Sequence, residues 1–431
     1  VLQFLHGQER WAMFHVAGRR RADMKLICML SGLFAASIWT AALLAQEPSP
    51  RLPDLPALVQ EAVENNPEIR AAAQRYEAAK AMVPQAQTLP DPMLRFSYED
   101  MDVDETMYGI SQEIPFPGKL KLKGEIASRE AESMEQEYHA VRLAVIARLK
   151  EAYYELQLAR QSIAIIGKNQ QLLEQFSATA EAGYKVGKMA QADVFRAQAE
   201  VSRSLARLAT VRQRQQSTSA ELARLLNRPP TAALDVAGEP QPTAMRRSLA
   251  ELLAAVDEAP MLRARSKAVE RGNASIALAQ RGYLPDFEIG VQGVRDEPMG
   301  DNGYQLMLNV TVPLYYATKQ RYGVSEARAA REGAAGDLQA TRQELVMRVR
   351  DEVAQIERAE KLIALLKGAI IPQVQLTLDS ARSGYSVGRV DFLMLLDSLF
   401  TLQENELELR MEIAEHEKAR ARLEEIIGDE P

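Results

Sequence analysis

The chain has 431 residues, of which 47% are hydrophobic and 26% charged, and its net charge is −7. A chain of this size buries substantial apolar surface and by length alone allows about three domains. Its acidic balance gives no general attraction for phosphate backbones, which argues against nucleic acid as a partner.

The N-terminus reads as an export signal. Residues 1–45 carry Arg10, Arg19, Arg20, Arg21 and Lys25 against Glu9 and Asp23, so the remainder of the chain holds about −10. Lys25 follows Met24, and an apolar run extends from Leu26 to Leu44 with small residues near its end; cleavage is expected after Ala45. Residues 1–23 read as an extended basic segment or a misassigned start, with Met24 the true one. The alternative is an uncleaved anchor, because the run is near the spanning minimum of ~18 residues. Cys28, the only cysteine, lies inside this signal. The mature chain is therefore expected to have no disulfide, thiolate metal site, thiol nucleophile or N-terminal lipid. No later apolar stretch is expected to span a bilayer as a helix, so a mature chain that crosses a membrane would do so in a closed β-barrel.

Residues 46–53 form a short Pro-rich lead-in. A helix is predicted from near Asp54, interrupted at Asn65-Asn66-Pro67, and a second from Pro67 to about Thr88. After Leu89-Pro90-Asp91-Pro92, residues Leu94, Phe96 and Tyr98 alternate with Arg95, Ser97 and Glu99. A polar turn spans Asp100 to Asp104. Tyr108, Ile110, Gln112 and Ile114 then alternate with Met107, Gly109, Ser111 and Glu113. Two period-two runs around a turn predict a β-hairpin. Pro115, Phe116, Pro117 and Gly118 break the ladder, so Pro115 and Pro117 mark a strand–helix junction. A helix is predicted from about Lys119 to about Ala182, with Val141, Val145, Leu149, Ala152, Leu156, Ala159, Ile163 and Ile166 along a coiled-coil seam. At ~1.5 Å per residue it would be on the order of 95 Å long. A returning helix runs from about Ala190 to Leu226, with Val194, Val201, Leu205 and Leu208 on one face.

The same order then returns. Residues 46–227 form a first repeat, 228–246 a Pro-bearing linker and 247–431 a second repeat. Pro260 starts a helix that ends near Leu284-Pro285-Asp286, echoing Leu89-Pro90-Asp91. Phe287, Ile289 and Val291 alternate with Glu288, Gly290 and Gln292. A turn covers Pro298 to Gly303, and Tyr304, Leu306, Leu308, Val310 and Val312 alternate with Gln305, Met307, Asn309 and Thr311. Pro313 marks the second junction. The second long helix is predicted from about Lys319 to Ser383 and its return from about Phe392 to Ile427, ahead of a short acidic tail. The hexad Gly183-Tyr184-Lys185-Val186-Gly187-Lys188 recurs as Gly384-Tyr385-Ser386-Val387-Gly388-Arg389, about 201 residues later. A duplication of this length is one structural unit used twice.

The fold expected is mainly α with a small β part. Four strands of this length and alternation suit a membrane wall, although a half-buried soluble sheet has the same period. Four strands cannot enclose a barrel, since single-chain barrels need about eight, and unpaired edges cannot face lipid. Transmembrane strands here would therefore require several chains to share one barrel; two or three copies both satisfy the count. Each hexad becomes the turn of a long αα-hairpin, with Gly187 and Gly388 as the left-handed cap residues and Tyr184 and Tyr385 packing where neighbouring hairpins meet.

With its two Tyr-x-Val-Gly turns and the stretches Asp193-Val194-Phe195-Arg196-Ala197-Gln198 and Phe392-Leu393-Met394-Leu395-Leu396-Asp397, the chain resembles TolC-family outer-membrane efflux channels from about Asp54 to Gly428. That resemblance implies a homotrimer with a shared twelve-strand β-barrel in outer-membrane lipid and a helical tunnel crossing the periplasm. It implies a periplasmic adaptor, or membrane fusion protein, and an inner-membrane RND-type pump docked at the hairpin tips, where Gly183, Tyr184, Val186, Gly187, Gly384, Tyr385, Val387 and Gly388 lie. Aspartates after the second turn ring the closed entrance in the family. Asp397 matches one such position, but the companion position is Met394; Asp391 and Asp193 stand as replacements beside Arg389. Ser97-Tyr98-Glu99-Asp100-Met101 and Gln112 to Lys119 are similar to the branch serving heavy-metal pumps. Met93, Met101 and Met107 could be soft ligands for such ions, or plain barrel-face and loop methionines; His139 and His416 lack ligand spacing, and no bound metal or cofactor is expected. The sequence has no phosphate-binding glycine loop or nucleophile motif, so a passive exit duct and not an enzyme is expected. The rivals are a duct for drugs or for type I protein secretion, and a soluble periplasmic coiled-coil adaptor.

Overall fold

A computed structural model describes residues 54–100, 104–230, 234, 236, 238, 240–296 and 302–429. The export signal with Cys28, the lead-in 46–53, the turn residues 101–103 and 298–301, Met101 and parts of the linker and the acidic tail lie outside the described residues.

Local chemistry sets the helix breaks. The side chain of Asp54 caps α1 (Leu55–Asn65). Asn66 ends it and starts α2 (Pro67–Gln87), its Oδ1 accepting from the backbone N–H groups of Glu68 and Ile69. Its Nδ2 donates to the Leu225 carbonyl at 2.8 Å, which sets α2 end to end on the later returning helix. Strands β1 (Met93–Asp100) and β2 (Asp104–Ile114) follow as predicted. The first long hairpin is α3 (Lys119–Lys185) and α4 (Gln191–Leu225). At ~1.5 Å per residue, the 67 residues of α3 span about 100 Å.

The second repeat opens with α5 (Leu249–Ala255), which the sequence reading left out. A readable signal was present: Ser248 and Glu251 form a reciprocal capping box at its start. Then come α6 (Pro260–Arg281), β3 (Asp286–Asp296) and β4 (Asn302–Thr311). The second long helix is not the uniform rod predicted from Lys319 to Ser383. It begins with a π turn at Tyr316–Gln320, continues as α7 (Arg321–Leu365), passes a second π turn at Leu366–Ile370 and finishes as α8 (Ile371–Ser386). The return is α9 (Phe392–Ile427), with the predicted bounds.

All four strands form one antiparallel sheet in the order β1-β2-β3-β4. The two predicted hairpins are joined by β2 and β3, with Ile110 opposite Val291 and Tyr108 opposite Gly293. Near the middle, α1 packs on α3, on the end of α4 and on Leu234 and Val236; α5 packs on α7 and the end of α9 around Leu252, Val349 and Ile356. The repeats are tied together by ion pairs from α9 to α3, including Lys150–Glu424 at 2.5 Å and Arg422–Glu151 at 2.8 Å. Of the predicted α3 seam, Val145, Leu149, Ala152, Leu156, Ala159 and Ile166 are buried, while Val141 and Ile163 are half-buried. On α4, Leu205 is 50% exposed and departs from the predicted buried face.

Among the described residues, one helical run, Tyr316–Ser386, is long and apolar enough to cross a membrane by length and composition, which corrects the expectation that no such stretch follows the signal. Within it Ile363, Leu366, Leu378 and Ala381 are buried in the apolar clusters, while Leu365 and Leu376 are exposed.

Candidate functional site

The sheet register sorts the strand side chains into two faces. One face stacks Leu94, Ile110, Val291 and Leu306 in a row, and Phe96 and Tyr108 with Tyr304 in the next. These side chains are exposed, Leu306 by 85% and Leu94 by 83%. The other face carries Arg95, Gln292 and Gln305 in one row and Glu113, Glu288 and Asn309 in another, with Asn309 donating to Glu288 at 3.1 Å. Such a surface wants hydrocarbon on one side and water on the other. Among the described residues, β1 and β4 each have one strand neighbour, so their outer edges carry unpaired backbone groups. Met93 lies on the polar face in a row with Ser111, Gly290 and Met307; Met107 lies on the same face and its sulfur accepts from Gln292 at 2.8 Å.

The junctions below the strands are clamped together. Pro115 is buried, whereas Pro117 is exposed and Pro313 half-buried. The Lys119 ammonium donates to both Asp286 carboxylate oxygens, at 2.8 and 2.7 Å, and to the Leu284 carbonyl at 3.1 Å. Asp286 also accepts from the Phe116 backbone N–H, and Arg281 donates to the Pro117 carbonyl. Sequence reasoning singled out the prolines and missed this pair. The repeated Leu-Pro-Asp motif was its visible signal.

At the far end, each hexad forms the same helix stop. The Lys188 N–H donates to Gly183 O at 2.9 Å and the Gly187 N–H to Tyr184 O at 2.9 Å; Arg389 and Gly388 repeat the pattern onto Gly384 and Tyr385. Gly187 and Gly388 have φ of 71° and 74°, the left-handed values expected of them. Gly183 and Gly384 serve a different need. A side chain on Gly183 would meet Met189, and one on Gly384 would meet Val390.

The two tyrosines differ. Tyr385 is buried: its ring lies 5.4 Å from that of Phe392, and its hydroxyl donates to the Met189 sulfur at 3.2 Å, bridging both hairpins of one chain. Burial, with the Asp193 charge adding, pushes its phenol up to about 12. Tyr184 is 45% exposed, so within one chain it does not pack between hairpins as Tyr385 does. Val186 and Val387 stand exposed at the tips. A cavity of about 330 Å³ between the tips is lined by Met189, Asp193, Arg196, Tyr385, Asp391 and Phe392, among others.

Of the entrance candidates, Asp391 is committed to capping α9, its carboxylate accepting from the Met394 N–H at 2.8 Å. Asp193 occupies the first turn of α4 and is half-buried. Asp397 and Arg389 are exposed, as is Met394. Further up α9, His416 is buried between two carboxylates, Glu417 at 3.0 Å and Glu360 at 3.5 Å. Glu417 also accepts from the Thr243 N–H at 2.7 Å and the Tyr154 hydroxyl at 3.2 Å, fastening the linker to α9 and α3. Burial opposes the Glu417 charge, but the His416, Thr243 and Arg420 contacts outweigh it and lower its pKa. Among the described residues, no three His, Cys, Asp or Glu side chains group in a way that could hold a metal ion.

A sheet with one exposed apolar face and two open edges, continued by long paired helices, defines a subunit of a membrane-spanning conduit. The sequence profile described as outer membrane efflux protein matches residues 58–228 and 253–429, and the chain belongs to that family. It is an outer-membrane channel component and not an enzyme. The cobalt-zinc-cadmium resistance protein CzcC of Cupriavidus metallidurans is 19% identical over 87% of this chain and 90% of its own length. The outer membrane protein TolC of Escherichia coli is 26% identical over 52% of this chain and 49% of its own. The solved structure of CusC, described as undergoing transmembrane channel formation, superposes with a TM-score of 0.76 at 17% identity, covering 86% of this chain and 91% of that one.

Proposed function

We propose that the protein is the outer-membrane exit duct of a tripartite efflux system, built from three copies, and that its cargo is heavy-metal cations. The observation that carries this reading is the four-stranded sheet with one exposed apolar face and two open edges. A lipid-facing edge must be paired, and three copies supply twelve strands. The polar face then lines the water path, and the helical hairpins extend into the periplasm. The exposed tips, with Val186 and Val387 outermost, receive a periplasmic adaptor and an inner-membrane RND-type pump, while Asp397 and Arg389 border the entrance. Similarity to a cobalt-zinc-cadmium resistance protein supports the cargo. The duct supplies no energy; adaptor contacts that favour separated tips would open it.

Gel mobility of the outer-membrane fraction tests the assembly. An unheated sample should run as a multi-chain band that collapses to the single chain on boiling. A water-soluble, detergent-independent monomer would overturn the reading in favour of a soluble adaptor. Loss of cobalt, zinc and cadmium tolerance on gene disruption is expected for metal cargo. Loss of drug tolerance or of a secreted protein instead would reassign the substrate and leave the duct intact.

A further inference from the structure

Each repeat has its own apolar core midway along the helices, and the two cores are not equally filled. The ends of α4 and α9 align residue by residue: Leu222 matches Leu423, Leu226 matches Ile427, and Asn227 matches Gly428, with φ of 55° and 77°. By the same duplication Leu58 matches Leu252 and Leu156 matches Ile356, and all of these leucines and isoleucines are buried in the two cores. In repeat one, Leu234 and Val236 of the linker complete the core, and Arg160 donates to the Val236 carbonyl. Side chains two residues apart that enter one core have the period of an extended chain. In repeat two the four matching apolar positions, Leu252, Ile356, Leu423 and Ile427, instead floor a cavity of about 380 Å³, with Met245 on one wall.

We propose that this cavity receives an extended, acidic peptide segment of a partner protein, seated as repeat one seats its own linker. Three features define the occupant. Two apolar side chains two residues apart meet the floor, as Leu234 and Val236 do in repeat one. A backbone N–H meets His416, which lines the cavity, is 1% exposed and has a buried Nε2 without a hydrogen-bond partner. The His416 Nδ1 lies 3.0 Å from the Glu417 carboxylate and donates to it, so in the neutral ring Nε2 is an acceptor. Glu360, 3.5 Å from that nitrogen, stands where repeat one has Arg160. The donor that holds a carbonyl in repeat one is thus replaced by acceptors, which suit a peptide N–H. The third feature is an acidic side chain, because the rim is basic. Arg247 and Arg420 pair with Asp429 and Glu424 at 2.9 and 3.0 Å, whereas Arg246 is exposed and has no ion pair among the described residues. The linker carries the required pattern itself, in Leu234-Asp235-Val236. From Ile356 to Gly384 the helix covers about 40 Å at ~1.5 Å per residue, so a protein seated here leaves the tips free.

The test uses the full protein in its unheated form and a fluorescein-labelled synthetic peptide copying Thr231 to Glu239. Fluorescence anisotropy should show saturable binding. Arg246→Glu should weaken it about fivefold at low salt, the effect of reversing one exposed charge. Ala244 is exposed and lines the cavity, so the indole of Ala244→Trp should block the mouth and abolish binding. A peptide carrying Leu234→Ser with Val236→Ser should not bind. Both protein variants alter repeat two alone, and their gel mobility reports assembly. A wild-type protein without saturable binding, or binding that both variants leave intact, overturns the proposal. Binding by dissociated single chains but not by the assembled protein gives the cavity to a neighbouring copy. Binding that appears only after residues 429–431 are removed gives it to the chain's own tail. Either result overturns the partner, and none of these outcomes alters the duct reading.

Discussion

At the scale of single residues, two acidic candidates separate by their hydrogen bonds. The Asp391 carboxylate accepts from a backbone N–H, whereas Asp397 is the exposed acid in α9's opening turns. Asp397→Ala should lower the cation preference of single channels, because a ring of carboxylates, one per copy, concentrates cations at a narrow mouth. Unchanged ion preference would remove Asp397 from that role. The cap was legible in the sequence, since aspartate before an apolar helical run is an ordinary N-terminus. The difference between Tyr184 and Tyr385 was not. Their hexads are nearly identical, and the distinction comes from residues several positions later, Gln191 against Phe392, and from which hairpin stands next door.

At the scale of elements, the linker is held by a carboxylate whose charge matters. The Glu417 pKa is lowered from 4.5, so the folded state binds its proton more weakly than the unfolded state does. Its contribution is complete above 4.5 and is lost as pH falls through the lowered value. With charge-assisted hydrogen bonds contributing about 2 kcal/mol, the wild-type melting temperature should fall more steeply below 4.5 than that of Glu417→Gln. Parallel profiles would mean that the clasp is not ionic. Glu360, Thr243 and the Tyr154 hydroxyl reach the clasp from segments remote along the chain, and for that reason spacing did not reveal it. Helices and strands themselves were legible because period and proline breaks are local signals. The α5 helix was passed over because seven residues hold too little period, although its capping box was in plain view.

At the scale of the whole molecule, the wall makes a sided prediction. Leu306 and Gln305 are consecutive on β4, one on each face of the sheet. Leu306→Arg should destabilise the assembled barrel by about 2–4 kcal/mol, the cost of arginine facing lipid near the midplane. Gln305→Arg should be tolerated and change ion selectivity instead. Heat-induced collapse of the multi-chain band measures both, and equal sensitivity would argue against a lipid-facing row. The sidedness could be read from alternation alone. The joining of β2 to β3 could not, because nothing local says which hairpin neighbours which.

The π turns have a consequence for aim. From Pro115 to Gly183 and from Pro313 to Gly384 the repeats differ by about three residues, the second being longer. An α-helix advances about 100° in azimuth per residue, so a surplus residue taken up as ordinary helix would swing everything beyond it a quarter turn or more. A π turn widens locally and absorbs one residue without that swing. The bulges at Tyr316–Gln320 and Leu366–Ile370 therefore take up about two of those three residues, and beyond the second of them the phenol of Tyr385 meets the Met189 sulfur.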